Sequence, residues 1–290
     1  MTKDEIRLTC IENDGYESPE LNDKLYLHFR GFKRIENLDE YTSCKAIWLD
    51  SNGFEVIENL GHMPLRCLYM SKNLINQMQG LENLSFLVTL DLSNNRITNV
   101  SGLEGCTSLT TINLSRNALT TAEALEGLVA CPTIDNIDIT NNRIEGDVTS
   151  VLAKLPTLHA LSVNGNPCTQ MQAFRKCTIY AIPTLSYLDR PIDEIEKVGA
   201  KAFVTEGVEK EQEVRLAFIA KQKQDRSDEL LQFRAWQREQ LELRKAKIAA
   251  GDTEGVSLIT EFTPEEMEER AAEAQKAAGM CVCMGVCVST

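Results

Sequence analysis

The sequence lacks the segments that direct a chain into or across a membrane. Residues 1–16 are polar and acidic, without the apolar run of a secretory signal. No apolar stretch approaches the roughly 20 residues that are needed to span a bilayer. We therefore expect an intracellular protein. Its ten cysteines are then expected to be reduced thiols rather than a disulfide framework, with Cys106 and Cys131 serving as small buried hydrophobic residues.

Side chains that could converge into a catalytic or metal site are also missing from the pattern. The three histidines are His28, His62 and His159, and they lie far apart in the chain. No His–Cys pair has the spacing of metal ligands. Neither a G-x-x-x-x-G-K-[ST] loop nor a G-x-S-x-G elbow occurs. We expect no catalytic residue, no metal and no cofactor, and hence a protein that is not an enzyme.

A basic patch of the kind that binds nucleic acid is absent as well. The formal net charge is −13, and the excess of acidic residues extends over the whole chain. This balance argues against nucleic acid and anionic membranes as partners. The expected partners are proteins, while the sequence leaves the oligomeric state open.

What the chain does contain is a repeat of about 22 residues in its first two thirds. Its frame is apolar-x-x-apolar-x-apolar-x-x-Asn-x-apolar. Steps of 22, 21, 22, 22, 25 and 24 residues separate its second apolar positions, within the roughly 20–29 residues of a leucine-rich repeat. The predicted fold class is α/β: a leucine-rich-repeat solenoid with a curved parallel sheet and short helices or turns on its convex side, followed by a C-terminal helical arm. The residues at the second apolar position of the seven copies are Leu25, Ile47, Leu68, Leu90, Ile112, Ile137 and Leu161.

The ninth position of the frame is asparagine in six of the seven copies, and Arg30 replaces it in the first. This position lies in the turn that follows each strand, where an amide can bond backbone groups that the turn leaves unpaired. We interpret the asparagines as a structural ladder. Its members are Asn52, Asn73, Asn95, Asn117, Asn142 and Asn166.

The residues between the two strand leucines face outward from the concave sheet and differ along the solenoid. They are aromatic in the first three copies (Tyr26, Trp48 and Tyr69) and small and polar in the last four, with His28 and Phe29 beside Tyr26. Adjacent strands lie about 5 Å apart, so the aromatic residues should form one patch. We predict a protein-binding anchor there, because exposed Trp and Tyr are favoured in binding sites. The alternative is that residues 1–20 fold over the patch.

The composition divides the chain into four parts. Residues 1–20 are a flexible lead or an N-terminal cap, and residues 21–190 are the repeat domain with a C-terminal cap that ends in a P-x-L-x-x-L-D strand. Residues 191–250 are rich in Glu, Lys, Arg, Gln, Leu and Ala, a composition that favours a charged helical arm. We predict that this arm is a single extended helix from Glu206. Residues 251–290 are expected to be a flexible, cysteine-rich tail.

The tail ends in Cys287-Val-Ser-Thr, which has the outline of a prenylation box, with Cys281 and Cys283 as candidate palmitoylation sites. Ser289 is not aliphatic, Thr290 is unusual at the last position, and no polybasic run precedes the box. A lipid anchor at Cys287 is therefore not the favoured interpretation, and three cysteines without a histidine do not favour a metal either.

More specific than the repeat is its opening copy, residues 21–41, with the sequence LNDKLYLHFRGFKRIENLDEY. Together with IWLDSNG at 47–53, IENL at 57–60, YLDRP at 187–191 and AKAF at 200–203, it resembles the leucine-rich-repeat axonemal dynein assembly factors. The resemblance covers residues 21–215. It implies a cytoplasmic adaptor, associated with cilia or flagella, that helps to preassemble dynein arms beside dynein chains, chaperones or other assembly factors.

Two other functions remain open from the sequence. One is a structural axonemal subunit that contacts dynein or microtubules, and the other is a regulatory subunit that directs a phosphatase.

Overall fold

The computed structural model describes residues 1–250, apart from the side chains of residues 247 and 248. Met1–Lys221 form one compact unit, and a second unit begins at Gln222. The predictions for the cysteine-rich tail, including Cys281, Cys283 and Cys287, lie outside the described residues.

The core of the first unit is a stack of three-residue parallel strands, one in each repeat. The middle residue of every strand is buried because alternate side chains point to opposite faces, and the inner face lies against the convex turns. Neighbouring strands pair without any shift in register, as in Leu25 opposite Ile47. The predicted solenoid is thus confirmed. Its strands are β1 (Lys24–Tyr26), β2 (Ala46–Trp48), β3 (Cys67–Tyr69), β4 (Thr89–Asp91), β5 (Thr111–Asn113), β6 (Asn136–Asp138) and β7 (Ala160–Ser162).

The convex side is built mainly from turns, with short helices in the two repeats that have the longest steps, the fifth and the sixth, and a 3-10 helix at Pro167–Gln170 after the seventh strand. A 3-10 helix at Glu123–Ala130 occupies the first of these repeats, and α2 (Thr149–Leu152) follows in the next. Backbone approach between convex turns is close: a Cβ at Gly105 would lie 1.7 Å from the carbonyl oxygen of Glu82. Only glycine fits at that position.

A helix covers the N-terminal end of the solenoid. α1 (Lys3–Glu12) follows Thr2, whose hydroxyl accepts the Glu5 N–H while the Glu5 carboxylate accepts the Thr2 N–H, forming a capping box. Ile6 and Cys10 of this helix join the hydrophobic core. A hydrogen-bonded ion pair of 2.6 Å between Glu12 and Arg30 attaches the end of α1 to the first repeat.

The C-terminal end of the solenoid is closed by α3 (Phe174–Ala181) and by β8 (Tyr187–Leu188), which pairs in parallel with β7. β9 (Arg190–Pro191) then pairs antiparallel with β8. Ile179 and Ile182 of the cap segment are buried, and with Leu188 they cover the apolar interior of the last repeat. The nine strands form one sheet in sequence order.

The segment after the cap contains two helices, where the sequence predicted one. α4 (Glu194–Glu206) ends at Gly207, and α5 (Val208–Ala249) begins immediately after it. Gly207 has a φ of 98°, which glycine adopts without the steric cost that other residues incur, so the helix is interrupted there. α4 lies inside the segment 191–250 for which a helical arm was predicted, and its Ala200 and Ala202 are buried. Among residues 1–250 no helix has the length and apolar character of a membrane span.

Candidate protein-binding surface

The three predicted aromatic residues form a continuous stack on the concave face. The register places Tyr26 opposite Trp48 and Trp48 opposite Tyr69. The Tyr26 and Trp48 ring centroids are 4.6 Å apart with planes 20° from parallel, and those of Trp48 and Tyr69 are 5.1 Å apart with planes 15° from parallel. We call these three residues the aromatic stack. All three remain partly exposed, so helix α1 does not cover them as the alternative interpretation required.

His28 and Phe29 extend this surface at its N-terminal end. The His28 ring meets Tyr26 edge-on at 6.4 Å and Phe29 edge-on at 5.4 Å. Phe29 is 72% exposed, which is unusual for a side chain of its size. The sequence therefore identified five residues that the fold brings together in one exposed aromatic cluster.

The later strands carry polar residues at the position that is aromatic in the first three. Unlike the rings, these side chains have oxygens that accept hydrogen bonds from the local backbone. Asp91 Oδ1 accepts the Ser93 N–H at 2.9 Å, Asn113 Oδ1 accepts the Ser115 N–H at 3.0 Å, and Asp138 Oδ1 accepts the Thr140 N–H at 2.9 Å. These side chains hold the strand exits in place. The concave face thus has an aromatic first half and a polar second half whose hydrogen-bonding capacity is partly used internally.

The asparagine side chains bridge neighbouring repeats. Asn95 is representative: its Nδ2 donates to the carbonyls of Met70, Leu92 and Ser93 at 2.9, 3.0 and 3.2 Å, and its Oδ1 accepts the Ile75 N–H at 3.1 Å. A buried amide with all of these groups paired stabilises the turn, whereas an unpaired one would destabilise it. Five members of the ladder are buried, and Asn52 is half-buried.

The residue before each ladder position has a left-handed backbone, a feature that the sequence did not reveal. Lys72 and Asn94, for example, both have a φ of 55°, and their N–H groups donate to the carbonyls of Ser93 and Ser115 in the next repeat. The only glycine at this position is Gly165, so the sequence has no repeated glycine that would indicate the left-handed conformation. The full set is Phe29, Ser51, Lys72, Asn94, Arg116, Asn141 and Gly165.

The buried thiols are packing groups. Burial raises the pKa of Cys44 and Cys106 to about 12 and that of Cys131 to about 11. A thiol with so high a pKa remains protonated and unreactive at neutral pH. Among residues 1–250 no set of three or more His, Cys, Asp or Glu side chains is placed to hold a metal ion.

A cavity of about 680 Å³ lies at the C-terminal cap, beside α3, α4 and the start of α5. Arg175 crosses it, donating to Glu196 at 2.7 Å and to the carbonyls of Leu188 and Pro191. Arg175 and Arg190 hold the pKa of Glu196 below its ordinary value. Because these charges are paired with one another, we interpret the cavity as part of a structural contact and not as a ligand site. We call this contact between the cap and α4 the joint.

The repeated strands and the open concave face define a leucine-rich-repeat protein, a class whose stacked repeats form extended binding surfaces. A family model described as Leucine Rich repeats (2 copies) matches residues 85–127. A crystal structure of an internalin from Listeria monocytogenes has a TM-score of 0.52 at 23% identity, covering 63% of this chain and 53% of that chain. That likeness supports the fold alone.

Within this class, the chain is similar to a protein named ODA7 and to proteins named dynein axonemal assembly factor 1. It is 37% identical over 219 residues to the leucine-rich repeat-containing protein ODA7 of Chlamydomonas reinhardtii, covering 74% of this chain and 51% of that protein. It is 36% identical over 251 residues to dynein axonemal assembly factor 1 of Peromyscus polionotus, covering 85% of this chain and 40% of that protein. The resemblance predicted from the sequence is confirmed. The chain spans about half the length, or less, of these relatives.

Proposed function

We propose that this chain is a non-enzymatic, protein-binding adaptor in the assembly of axonemal dynein arms. The observation that carries the proposal is its similarity, at 36% identity over 251 residues, to a protein named dynein axonemal assembly factor 1. The concave aromatic stack supplies a surface suited to such a role, because rigid Trp and Tyr side chains provide large contact areas at low entropic cost.

The proposed site of action is the cytoplasm of ciliated or flagellated cells. There the adaptor would bind dynein chains as clients, and chaperones or other assembly factors would act with it. An adaptor of this kind binds its client transiently and does not remain in the finished axoneme. Fractionation separates this role from that of a structural subunit. The adaptor is expected in the detergent-soluble fraction, whereas a structural subunit would sediment with demembranated axonemes.

Deletion tests the proposal directly. Cells that lack the protein should build cilia of near-normal length whose axonemes lack dynein arms in electron micrographs, and re-expression of the wild-type chain should restore the arms. Normal arms in the deletion strain would contradict the proposal.

The role of the aromatic stack is tested by the same rescue. A chain that carries Trp48→Ala and Tyr69→Ala, shown to be folded by circular dichroism, should fail to restore the arms. A matched control, Arg96→Ala, changes an exposed residue outside the strand columns and should restore them. If the double variant restores arms as well as the control does, the stack is not the binding anchor.

A further inference from the structure

We infer that the aromatic stack binds an acidic segment of a partner polypeptide, in which Asp or Glu residues flank an apolar anchor. This inference rests on the proposed function, since it names the chemistry of the segment that the adaptor would hold. Two features of the first three repeats support it: the orientation of Trp48 in the stack, and the unpaired cations that precede the rings in the sequence.

Trp48, the middle ring of the stack, presents its edge and not its faces. Trp48 lies between Tyr26 and Tyr69, with centroid distances of 4.6 and 5.1 Å and nearly parallel planes, so both of its faces are covered. The edge of an aromatic ring carries the positive end of its quadrupole. The indole N–H of Trp48 is a donor without an acceptor partner, and it has no hydrogen-bonded neighbour among the residues that the structure describes. Edges and donors of this kind favour carboxylate and carbonyl oxygens.

The covered faces also argue against two other kinds of ligand. A cation binds over the face of a ring, within about 6 Å of its centroid, and a nucleobase stacks on the same face. Trp48 offers neither of its faces, since a tyrosine occupies each. At Trp48, a polypeptide whose side chains insert against the ring edge fits better than either of these ligands.

A basic residue precedes each ring of the stack by two or three positions. Lys24 precedes Tyr26, Lys45 precedes Trp48, and Arg66 precedes Tyr69. All three are exposed, and none forms an ion pair within residues 1–250. We call Lys24, Lys45 and Arg66 the basic border. In a chain with a net charge of −13, three unpaired cations on consecutive repeats are positions that would attract acidic groups.

Carboxylates lie near the Tyr69 end of the stack and keep their negative charge. Asp50 Oδ1 accepts the Ser71 N–H at 2.8 Å, Asp91 is the register partner of Tyr69, and burial together with these two carboxylates raises the pKa of Tyr69. Asp23 is exposed, but it belongs to the first repeat only. From the fourth repeat onward the column that carried the rings turns acidic at Asp91 and Asp138. The Tyr26–Trp48 end, bordered by Lys24 and Lys45, is therefore where an acidic segment would fit with its apolar anchor on the rings.

The test uses the full-length chain with Trp236→Phe, which leaves Trp48 as the single tryptophan, since the sequence contains only two. Two synthetic peptides serve as probes: one with a central Phe flanked by Glu residues, and one with the same Phe flanked by Lys. The acidic peptide should change Trp48 emission saturably and lose affinity as salt is added. The basic peptide should bind at least about tenfold more weakly.

Charge reversal is the decisive comparison. Lys45→Glu with Arg66→Glu should weaken binding of the acidic peptide by about tenfold or more, whereas Arg96→Glu with Lys154→Glu, which makes the same change in net charge at exposed sites away from the stack, should leave it nearly unchanged. Circular dichroism confirms that both double variants are folded.

Several outcomes would overturn the inference: equal binding of the two peptides, no binding of the acidic one, no effect of reversing the border, or equal binding of a single-stranded oligothymidine. These results concern the purified protein and are independent of the deletion phenotype. Missing dynein arms in the deletion strain, together with a failed peptide test, would leave the proposed function standing and remove this inference alone.

Discussion

At the scale of single residues, the repeat frame predicted the role of a side chain wherever the same position has the same role in every repeat. The asparagines were assigned to the turns from their spacing, and Asn95 indeed pairs with carbonyls of two repeats. The left-handed residues before them could not be predicted, because Lys72 and Arg116 have nothing in common with Gly165 as residue types. There the inter-repeat hydrogen bonds impose a conformation that the residues themselves do not prefer.

Removal of one ladder side chain should therefore be costly. Asn95→Ala leaves the Ile75 N–H without its partner in a buried turn and removes one of the two donors to each of three carbonyls, so we expect it to lower the free energy of unfolding by about 2 kcal/mol. Urea unfolding followed by circular dichroism measures this loss. The matched control is Asn83→Ala, an exposed asparagine, for which we expect a change within about 0.5 kcal/mol. Equal losses in both variants would show that the ladder is not a stabilising feature.

At the scale of elements, the strands and the aromatic stack could be predicted from the sequence, whereas the joint between the cap and α4 could not. Strand positions follow from a short local pattern. The joint depends on partners distant in the sequence: Arg175 with Glu196, and Lys176 with Glu211 at 2.6 Å. Nothing in the local pattern around these residues indicates which charge will meet which. For the same reason, the helical arm was predicted by composition, but its interruption at Gly207 was not.

The joint should make stability depend on pH in the acid range. The pKa of Glu196 is lowered from an ordinary value of 4.5, chiefly by its hydrogen bonds with Arg175. A carboxylate with a lowered pKa contributes stability that is complete above the pKa of the unfolded chain and is lost as the pH falls through the lowered value. We expect Glu196→Gln to cost about 2 kcal/mol at pH 7 and progressively less below pH 4.5.

The measurement is urea unfolding of wild type and variant at a series of pH values. Glu194→Gln is the matched control on the same helix, because Glu194 is exposed and lies 3.7 Å from Lys197; its effect should stay below about 0.5 kcal/mol. If the difference between wild type and Glu196→Gln does not change with pH, the ion-pair explanation of the joint is wrong.

At the scale of the whole molecule, the apolar core is contained in the first unit. Its buried residues run from Ile6 to Ala200, and both ends of the stacked repeats are covered, by α1 and by the cap. A solenoid needs such covers because an open terminal repeat exposes an apolar interior. The sequence predicted the C-terminal cover from its P-x-L-x-x-L-D strand, and it left open whether residues 1–20 cover the other end or stay flexible.

Truncation tests this account of the core. A chain of residues 1–221 should unfold cooperatively, with a urea midpoint close to that of the full-length protein. A chain of residues 1–172 lacks α3 and β8, so it should lose the cooperative transition or aggregate. Circular dichroism in urea, together with size-exclusion chromatography, distinguishes these outcomes. A fully cooperative 1–172 chain with an unchanged midpoint would show that the cap is dispensable.

The two longest repeats have a consequence for how this surface can change. Their extra residues are taken up on the convex side, by Glu123–Ala130 and by α2, while the strands keep an unbroken register. Insertions and deletions in these convex segments would therefore leave the concave face where it is. In evolution the convex side can therefore vary in length and the concave face in side-chain chemistry, each independently of the other. A tag or cross-linker inserted in the convex turns would accordingly report on partners without disturbing the face that receives them.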